Sequence, residues 1–516
     1  MMETKKNFIF FTIIFTLIFP NIPKLFQLNF LAGGLASKLT IYPIFLAIVF
    51  TVLYRKKFSL SPTERSNIAK YFVIYLLVEL LTLIIGLFTY PYYNEILQGP
   101  VNQIEKLPGV YAFLTRYGIS ISEQDLLSVW MLVRPIKNLF VNTFWAYCLS
   151  VLTFIWYKDD FHDGFHVFLF GVFVSVIVVV LYGFWDVLYL SGNEFAAKVL
   201  MTFNPLIHEI KSDGTWWPPL LWKNQFRSLF AEPSYYGIFM AFALPWLWCI
   251  LDICKNDRKR ILCWLVSFCC ITFLFLTKSR TANVLLFGEL VLLLLFRLCW
   301  FSHSKKILFS VYLSVILAFS ASLSFFNYGV KYAKEATVSN YLEDNITSLG
   351  SIDKRSNRSR YSIMIADLKI GISHPILGVG LSLRNAYIPE YLPDKTHLSQ
   401  ETLTWIRNQQ EKGILRSGFP RLGEYTIRFA ETGILGLIVF MFPPIILIYK
   451  LLQFIRAESR KMKIENKIIM YFFISFLGIL AAGIGDSLNI TCCYWLLLGL
   501  GFALLHHVMI KANEEE

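Results

Sequence analysis

Long apolar runs recur along this 516-residue chain and restrict the folds open to it more than any other feature. Most of them are about 17–25 residues long, which is the length a helix needs to cross a bilayer. Inside lipid every backbone N–H and C=O needs a partner, and a helix supplies those partners within one segment. Because 56% of the residues are hydrophobic and only 16% are charged, we predict an all-α, polytopic membrane helical bundle.

The apolar runs predict about twelve transmembrane helices. They lie near residues 8–19, 39–54, 71–90, 126–157, 165–189, 234–254, 261–276, 282–300, 307–326, 425–449, 468–485 and 488–510. We expect Pro135 to break the fourth span. These spans divide the chain into three predicted units. The first is residues 1–327, with spans one to nine and the outer segments 91–125 and 190–231. The second is a large extracytoplasmic loop, residues 328–423, and the third is residues 424–516, with spans ten to twelve and a cytoplasmic tail.

The distribution of basic residues predicts the orientation. With the N-terminus inside, the inner connections are 55–70, 158–164, 255–260, 297–306 and 449–467, and four of these five are rich in Lys and Arg. Short cytoplasmic loops carry such an excess, whereas outer loops do not. We therefore place both termini in the cytoplasm, and part of the net charge of +13 serves this orientation.

The polar segment 328–423 is too long to be a simple connection, and loops of this length are usually functional or disordered. It has a basic cluster at Lys354–Arg360 and an apolar pattern that predicts a helix over residues 361–372. His374-Pro375 should end that helix, and Gly378-Val379-Gly380 predicts a tight turn. This pattern favours a functional loop.

Three arginines from separate outer segments are the candidate catalytic residues: Arg227, Arg280 and Arg360. Arginine suits phosphate because its planar donor fork binds two oxygens and stays charged. We predict that the three line one outer cavity and bind the pyrophosphate of a lipid-linked substrate, where preorganised cations stabilise the departing group. The alternatives are a helix cap at Arg227, snorkelling of Lys278 and Arg280 to headgroups, and a solvated charge run at Arg360.

Six further residues are candidates for substrate binding on the same face. They are Glu232, Lys278, Arg358, His397, Arg421 and Tyr425. Pro233 should occupy the first position of a helix, which places Glu232 at its N-terminus. Glu79 and Glu289 lie inside apolar helices, where a carboxylate is costly unless it has an interior partner. The nine cysteines show neither a disulfide framework nor zinc spacing. We predict no metal, no cofactor and no nucleic-acid partner.

Four segments together resemble the O-antigen ligase and polymerase superfamily. They are residues 227–237 with Phe230, Glu232-Pro233 and Tyr236-Gly237, residues 277–282 (Thr-Lys-Ser-Arg-Thr-Ala), Arg360 followed by residues 374–381 (His-Pro-Ile-Leu-Gly-Val-Gly-Leu), and residues 430–436 (Ala-Glu-Thr-Gly-Ile-Leu-Gly). The resemblance covers about residues 225–445. It implies a bacterial, metal-independent, inverting glycosyltransferase of GT-C-like architecture in the cytoplasmic membrane.

The substrates that the resemblance implies are oligosaccharides on undecaprenyl pyrophosphate, as both donor and acceptor. Membrane lipids, a chain-length regulator and a flippase are the further partners it implies. The ligases of the family usually carry a His-Asn just before the last segment, and this chain reads Arg421-Leu422-Gly423 there. That departure favours a polysaccharide polymerase for O-antigen, capsule or exopolysaccharide over a ligase acting on a lipid or protein acceptor. A transporter or flippase of the same sugars is the alternative from another class.

The absent histidine leaves the general base to another residue. Glu424 is the nearest carboxylate to that position and should lie at the outer face. We predict that it takes the proton of the acceptor hydroxyl, a role that typically contributes about 10²–10⁴-fold. The alternatives are a helix-start role for Glu424, Glu232 or His397 as the base, and alignment of the substrates without any base.

Overall fold

The computed structural model describes residues 2–100, 107–210, 218–299, 305–329, 341, 343, 355–394, 398–458 and 463–515. These residues form helices joined by turns. The helices are α1 (Met2–Thr16), α2 (Asn29–Ala32), α3 (Ile41–Leu53), α4 (Pro62–Phe88), α5 (Tyr93–Leu97), α6 (Leu107–Arg116), α7 (Glu123–Tyr157), α8 (Phe161–Leu190), α9 (Glu194–Ile207), α10 (Pro233–Ile253), α11 (Asp257–Leu276), α12 (Arg280–Cys299), α13 (Lys305–Ser324), α14 (Arg355–Ser373), α15 (Arg384–Tyr391), α16 (Gln400–Lys412), α17 (Glu424–Glu458), α18 (Lys463–Gly485) and α19 (Cys493–Glu515).

Ten of the described helices are long and apolar enough to cross a membrane: α4, α7, α8, α10 to α13 and α17 to α19. They correspond to spans three to twelve of the prediction, so the polytopic helical fold is confirmed. The first two predicted spans are α1, with 15 residues, and α3, with 13 residues. At 1.5 Å per residue each covers about 20 Å, which is less than the hydrocarbon core of about 30 Å. If neither α1 nor α3 crosses the membrane, two crossings are removed together. Each of the other ten helices therefore keeps its predicted direction across the membrane.

Contacts between helix ends divide the bundle into two ends. At one end Lys158 contacts Glu64 at 2.6 Å, and Asp252 contacts Arg297 and Lys467. These pairs join the starts of α4 and α18 to the ends of α7, α10 and α12. We call this the opposite end. At the other, the loop end, residues 355–394 and 398–423, which we call the loop-end segment, pack on the end of α4 and the start of α7. The predicted assignment of the loop end to the cell exterior stays a prediction.

Helix starts and interior charges follow local chemistry. Pro233 begins α10 with Glu232 as the preceding cap residue, as the sequence predicts. Pro135 lies inside α7, which runs without a break from Glu123 to Tyr157, so the predicted break there is wrong. The proline ring removes one backbone donor, and the other backbone hydrogen bonds of the helix continue past it.

Glu289 on α12 is buried beside Gly478 of α18, and neither carboxylate oxygen has a hydrogen-bond partner among the described residues.

The loop-end segment has a core of its own. The predicted helix over residues 361–372 is confirmed as part of α14, which ends at Ser373 just before His374-Pro375. Ile363, Ala366 and Ile370 of α14 are fully buried. A buried ion pair fixes α14 to α15, because Arg384 donates to both oxygens of Asp367 at 2.6 and 3.1 Å. The bidentate pair gives these two helices a defined position relative to each other.

Helix α17 is interrupted at Gly433, and the loop-end segment pairs with it there. Gly433 has φ +63° and ψ −164°, which breaks the helical ladder. Val379 and Gly380 donate their N–H groups to the carbonyls of Ala430 and Glu431, both at 2.9 Å. Ile434 then donates to the carbonyl of Pro375 at 2.9 Å. These bonds satisfy the backbone groups that the break exposes, which lipid could not do.

Candidate active site

A cavity of about 270 Å³ lies between α4, α7, α17 and the turn before α19. Five charged side chains line it: Glu79, Arg421, Glu424, Arg428 and Glu431. Asn138, Asn142 and Thr143 of α7, Ser382 of the loop-end segment, and Ser487 and Asn489 before α19 add polar groups. A cavity with this many charges among membrane-spanning helices is costly unless it has a use.

Arg421 is the accessible cation of this cavity. Its two terminal nitrogens donate to the two carboxylate oxygens of Glu431 at 3.1 and 3.3 Å. The Arg421 side chain is 51% exposed, whereas that of Glu431 is 4% exposed. The Glu431 carboxylate raises the pKa of Arg421 above its usual value. Arg421 is a predicted substrate-binding residue, and the structure places it where a ligand entering the cavity would meet it.

Arg428 lies deeper and joins two helices. It donates to Glu424 at 2.8 Å and to Glu79 of α4 at 3.4 Å. Its guanidinium also lies 3.6 Å from the ring centroid of Phe440, which is a favourable cation–π position. The sequence analysis predicted an interior partner for Glu79 but did not identify it, and Arg428 is that partner. The second oxygen of Glu79 has no hydrogen-bond partner among the described residues.

Glu424, the predicted base, begins α17 and is buried at the wall of the cavity. One carboxylate oxygen accepts from Arg428. The other accepts from the hydroxyl of Ser487 at 2.8 Å and from the N–H of Leu488 at 3.2 Å. A carboxylate has about four lone-pair sites, and the hydrogen bonds from Arg428, Ser487 and Leu488 occupy three of them.

Arg227 has a structural environment at the loop end. Its guanidinium donates to the carbonyls of Pro219, Leu220 and Ala231 at 2.8–3.3 Å, and the residue is 1% exposed. Its own N–H donates to Asp186 of α8 at 3.1 Å. Burial lowers the pKa of Arg227. These bonds fold the turn before α10, and they leave the side chain little access to a ligand.

Arg360 of α14 is held at the end of α18 that lies at the loop end. It donates to the carbonyl of Gly485 at 3.0 Å and to Asp486 at 3.2 Å. Glu232 lies close enough to interact with it electrostatically, and burial raises the pKa of Glu232. Arg360 therefore lies among carboxylates. Neither it nor Arg227 or Arg280 lines the 270 Å³ cavity, so the shared cavity of the three arginines stays a prediction.

The other predicted residues lie around the same end. Lys278 lies in the short turn between α11 and α12, and Arg280 begins α12. The Lys278 ammonium lies 4.3 Å from the ring centroid of Phe326. Arg358 is half-buried in the first turns of α14. Tyr425 donates its hydroxyl to the carbonyl of Leu480 at 2.6 Å. His397 lies outside the described residues.

Comparison with known families supports a family assignment for one segment of the chain. Residues 265–409 match the family model Wzy_C, described as O-antigen ligase. The match of this segment supports the O-antigen ligase and polymerase superfamily. Members of the O-antigen ligase family act on lipid-linked glycans. No curated protein matches the chain. The match does not distinguish polymerase from ligase. It supports an enzyme of the ligase or polymerase type, and the ten candidate spans support a multi-pass membrane protein.

The O-antigen ligase domain contains two of the four motif segments, and each contacts one of the others. Residues 277–282 meet residues 227–237, where a Cβ on Gly237 would lie 2.3 Å from that of Ala282. Residues 374–381 pair with residues 430–436 through the bonds at the α17 break. The fold thus joins segments that are far apart in the chain. Leu381 and Ser382 extend the O-antigen ligase domain to the cavity wall.

Sequence reasoning missed three residues of the cavity as site residues: Glu79, Arg428 and Glu431. All three are charged residues inside apolar runs, which is the signal that could have found them. The sequence could not show that Glu79 and Arg428 are partners, because they are 349 positions apart. Asp486 was missed for the same reason, since its partner Arg360 lies 126 positions away.

Proposed function

We propose that the chain is a polysaccharide polymerase of the bacterial cytoplasmic membrane. It joins oligosaccharide repeat units carried on undecaprenyl pyrophosphate at the outer face, for O-antigen, capsule or exopolysaccharide. The observation that carries the proposal is the charged cavity at the broken helix α17, beside the O-antigen ligase domain. A membrane protein that handles anionic lipid-linked sugars needs cations and carboxylates at that depth.

The proposed reaction is an inverting transfer. The hydroxyl at the non-reducing end of one repeat unit attacks the anomeric carbon of the growing glycan, and the bond to the carrier pyrophosphate breaks. Arg421 contacts the departing pyrophosphate, which requires that its fork exchange one Glu431 oxygen for a phosphate oxygen. Arg280 and Arg360 contribute positive charge along the same end, while Arg227 acts by holding the turn that carries Glu232.

Glu424 accepts the proton of the attacking hydroxyl in this proposal. Ser487 occupies one of its lone pairs in the ligand-free arrangement. A neutral hydroxyl of the acceptor sugar is a direct replacement for the Ser487 hydroxyl, because both donate one hydrogen bond. Arg428 then keeps the carboxylate charged and oriented from the other side.

Ligase-type transfer to a lipid or protein acceptor is the second candidate, because the matching family model is described as O-antigen ligase. The two activities differ only in the acceptor, so the acceptor is the variable to test. The purified protein is reconstituted with a lipid-linked repeat unit, and the products are separated by length. A ladder of multiples that stays on the carrier lipid supports the polymerase.

Other products of that reconstitution contradict the polymerase. Glycan that appears only on an added non-carrier lipid or protein acceptor indicates a ligase. Unmodified donor that crosses the vesicle bilayer in protein-containing vesicles alone indicates a transporter. The matched control is an Arg407→Ala protein, since Arg407 is an exposed residue of α16 in the same loop-end segment and should polymerise like the parent.

A further inference from the structure

We propose that His162, Glu465 and His507 form a binding site for a divalent transition-metal ion, with zinc as the best fit, at the opposite end of the bundle. The three residues come from the start of α8, the start of α18 and the last turns of α19. Each offers one ligand atom, and these atoms all lie within 4.8 Å of one another. This cluster is remote from the charged cavity, which lies at the loop end.

The geometry of the two imidazoles supports a shared ligand. The rings of His162 and His507 have centroids 4.7 Å apart and are nearly perpendicular at 80°. Phe161 stacks on His507 at 5.4 Å and holds its ring in place. The Nε2 atom of His507 is buried, and it has no hydrogen-bond partner among the described residues. A buried imidazole nitrogen without a partner is costly, and a metal ion would satisfy it.

The donor set indicates the class of ion. Two imidazoles and one carboxylate suit zinc and similar transition metals, whereas calcium and magnesium prefer oxygen ligands alone. Ligands at about 2.0–2.1 Å in a tetrahedral site lie about 3.4 Å apart. The present separations, at most 4.8 Å, therefore need to shorten by up to about 1.4 Å, to which rotamer adjustment of the exposed His162 can contribute. The fourth position would go to water.

Lys511 is the competitor of the metal ion. Its ammonium pairs with Glu465 and neutralises the carboxylate that the ion would use. Binding therefore requires that Lys511 move away, and the half-exposed side chain of Lys511 has room to do so. This competition makes a specific expectation possible: a neutral residue at position 511 should bind the metal more tightly than the parent.

Titration of the detergent-purified, metal-free protein with Zn²⁺ tests the site, using an affinity tag without histidine. Calorimetry should show one site that His162→Ala and His507→Ala each weaken at least tenfold. His162 is exposed, so its replacement should not disturb packing. Zn²⁺ should raise the melting temperature of the parent, because a ligand that binds only the folded state stabilises it. It should not raise that of His507→Ala.

Two further variants make the test decisive. His506→Ala is the matched control, because His506 is adjacent in the chain but hydrogen-bonds to the carbonyl of Lys158 at 3.0 Å, and this variant should bind Zn²⁺ like the parent. Lys511→Met should bind Zn²⁺ several-fold more tightly. Equal Zn²⁺ affinity in the parent, His162→Ala and His507→Ala would overturn the site, as would an equal loss in His506→Ala.

Discussion

At the scale of single residues, the charged cavity depends on Arg421, Arg428 and their carboxylate partners. Glu431 and Glu424 are close to these arginines in the chain, whereas Glu79 lies 349 positions from Arg428. Arg421 and Arg428 differ in access: the first is half-exposed to the cavity, and the second is enclosed by Glu424, Glu79 and Phe440. An enclosed arginine holds the site together, whereas an accessible one can exchange partners with a substrate. The two should therefore respond differently to substitution, and Arg421 is the residue that tests function.

Arg421→Ala should lower the rate of glycan transfer by about 10²–10³-fold, which is typical for the loss of one preorganised donor. Arg421→Lys should recover little of it, because a point charge lacks the two-pronged fork. The measurement is extension of the lipid-linked repeat unit by purified protein, with Arg407→Ala as the control. Parental rates for Arg421→Ala would remove Arg421 from the reaction.

Glu424 is tested by a pair of variants. Glu424→Gln keeps the shape of the side chain but loses its basicity, so turnover should fall about 10²–10⁴-fold while binding of the lipid-linked donor is unchanged. Ser487→Ala removes only the hydroxyl that Glu424 binds in the ligand-free arrangement and should retain turnover. If Ser487→Ala loses as much activity as Glu424→Gln, the carboxylate acts by positioning the turn before α19 and not as a base.

At the scale of elements, the break in α17 and its pairing with residues 375–380 hold the loop-end segment against the bundle. Two glycines make this possible. Gly433 and Gly378 both have positive φ, and a Cβ on either would lie within about 2.3–2.5 Å of backbone atoms of the other segment. The close approach places Glu431 beside Arg421, so the shape of the cavity depends on this contact.

Gly433→Ala should therefore destabilise the protein by more than about 1 kcal/mol, because alanine is strained at this φ. The added Cβ would also lie 2.3 Å from the carbonyl oxygen of Ile376. Thermal unfolding in detergent and limited proteolysis of residues 355–423 measure the effect. Gly288→Ala is the control, since a Cβ on Gly288 in α12 meets nothing within 4 Å. Equal stability of the two variants would contradict the proposed role of the break.

At the scale of the whole molecule, the two ends of the bundle carry different chemistry. The loop end has the charged cavity and the loop-end segment, and the opposite end has ion pairs between helix termini and the His162–Glu465–His507 cluster. Because consecutive spans alternate in direction, the orientation of one span determines the side of the membrane on which every loop lies. The basic residues of the connections favour the loop end outside.

Cysteine labelling in intact cells tests the predicted orientation, in which the loop end lies outside the cell. The parent for this test carries Cys299→Ser, because Cys299 is the exposed native cysteine. Thr404→Cys on α16 should react with a membrane-impermeant maleimide added outside, and Lys56→Cys after α3 should react only in opened cells. Both positions are exposed in the structure. The reverse pattern would invert the topology and place the charged cavity on the cytoplasmic side.

What the sequence by itself determined is the helical membrane fold, because the length of an apolar run and the need to pair every backbone group act within one segment. Local chemistry also determined the start of α10 at Pro233, the helix over residues 361–372 and its end before His374. The resemblance of four segments was enough to name the superfamily that the match over residues 265–409 supports.

Only the tertiary structure decided which charges meet. Arg428 with Glu79 and Arg360 with Asp486 are pairs between distant elements, and Arg421 with Glu431 joins the segment before α17 to that helix. The pair of Arg428 with Glu424, four residues apart within α17, is local by contrast. The sequence pointed to Arg227 as a ligand-binding residue, whereas folding directs its donors to three backbone carbonyls. The physical reason is that a charge in a low-dielectric interior takes whichever partner packing brings to it, and packing is a property of the whole chain.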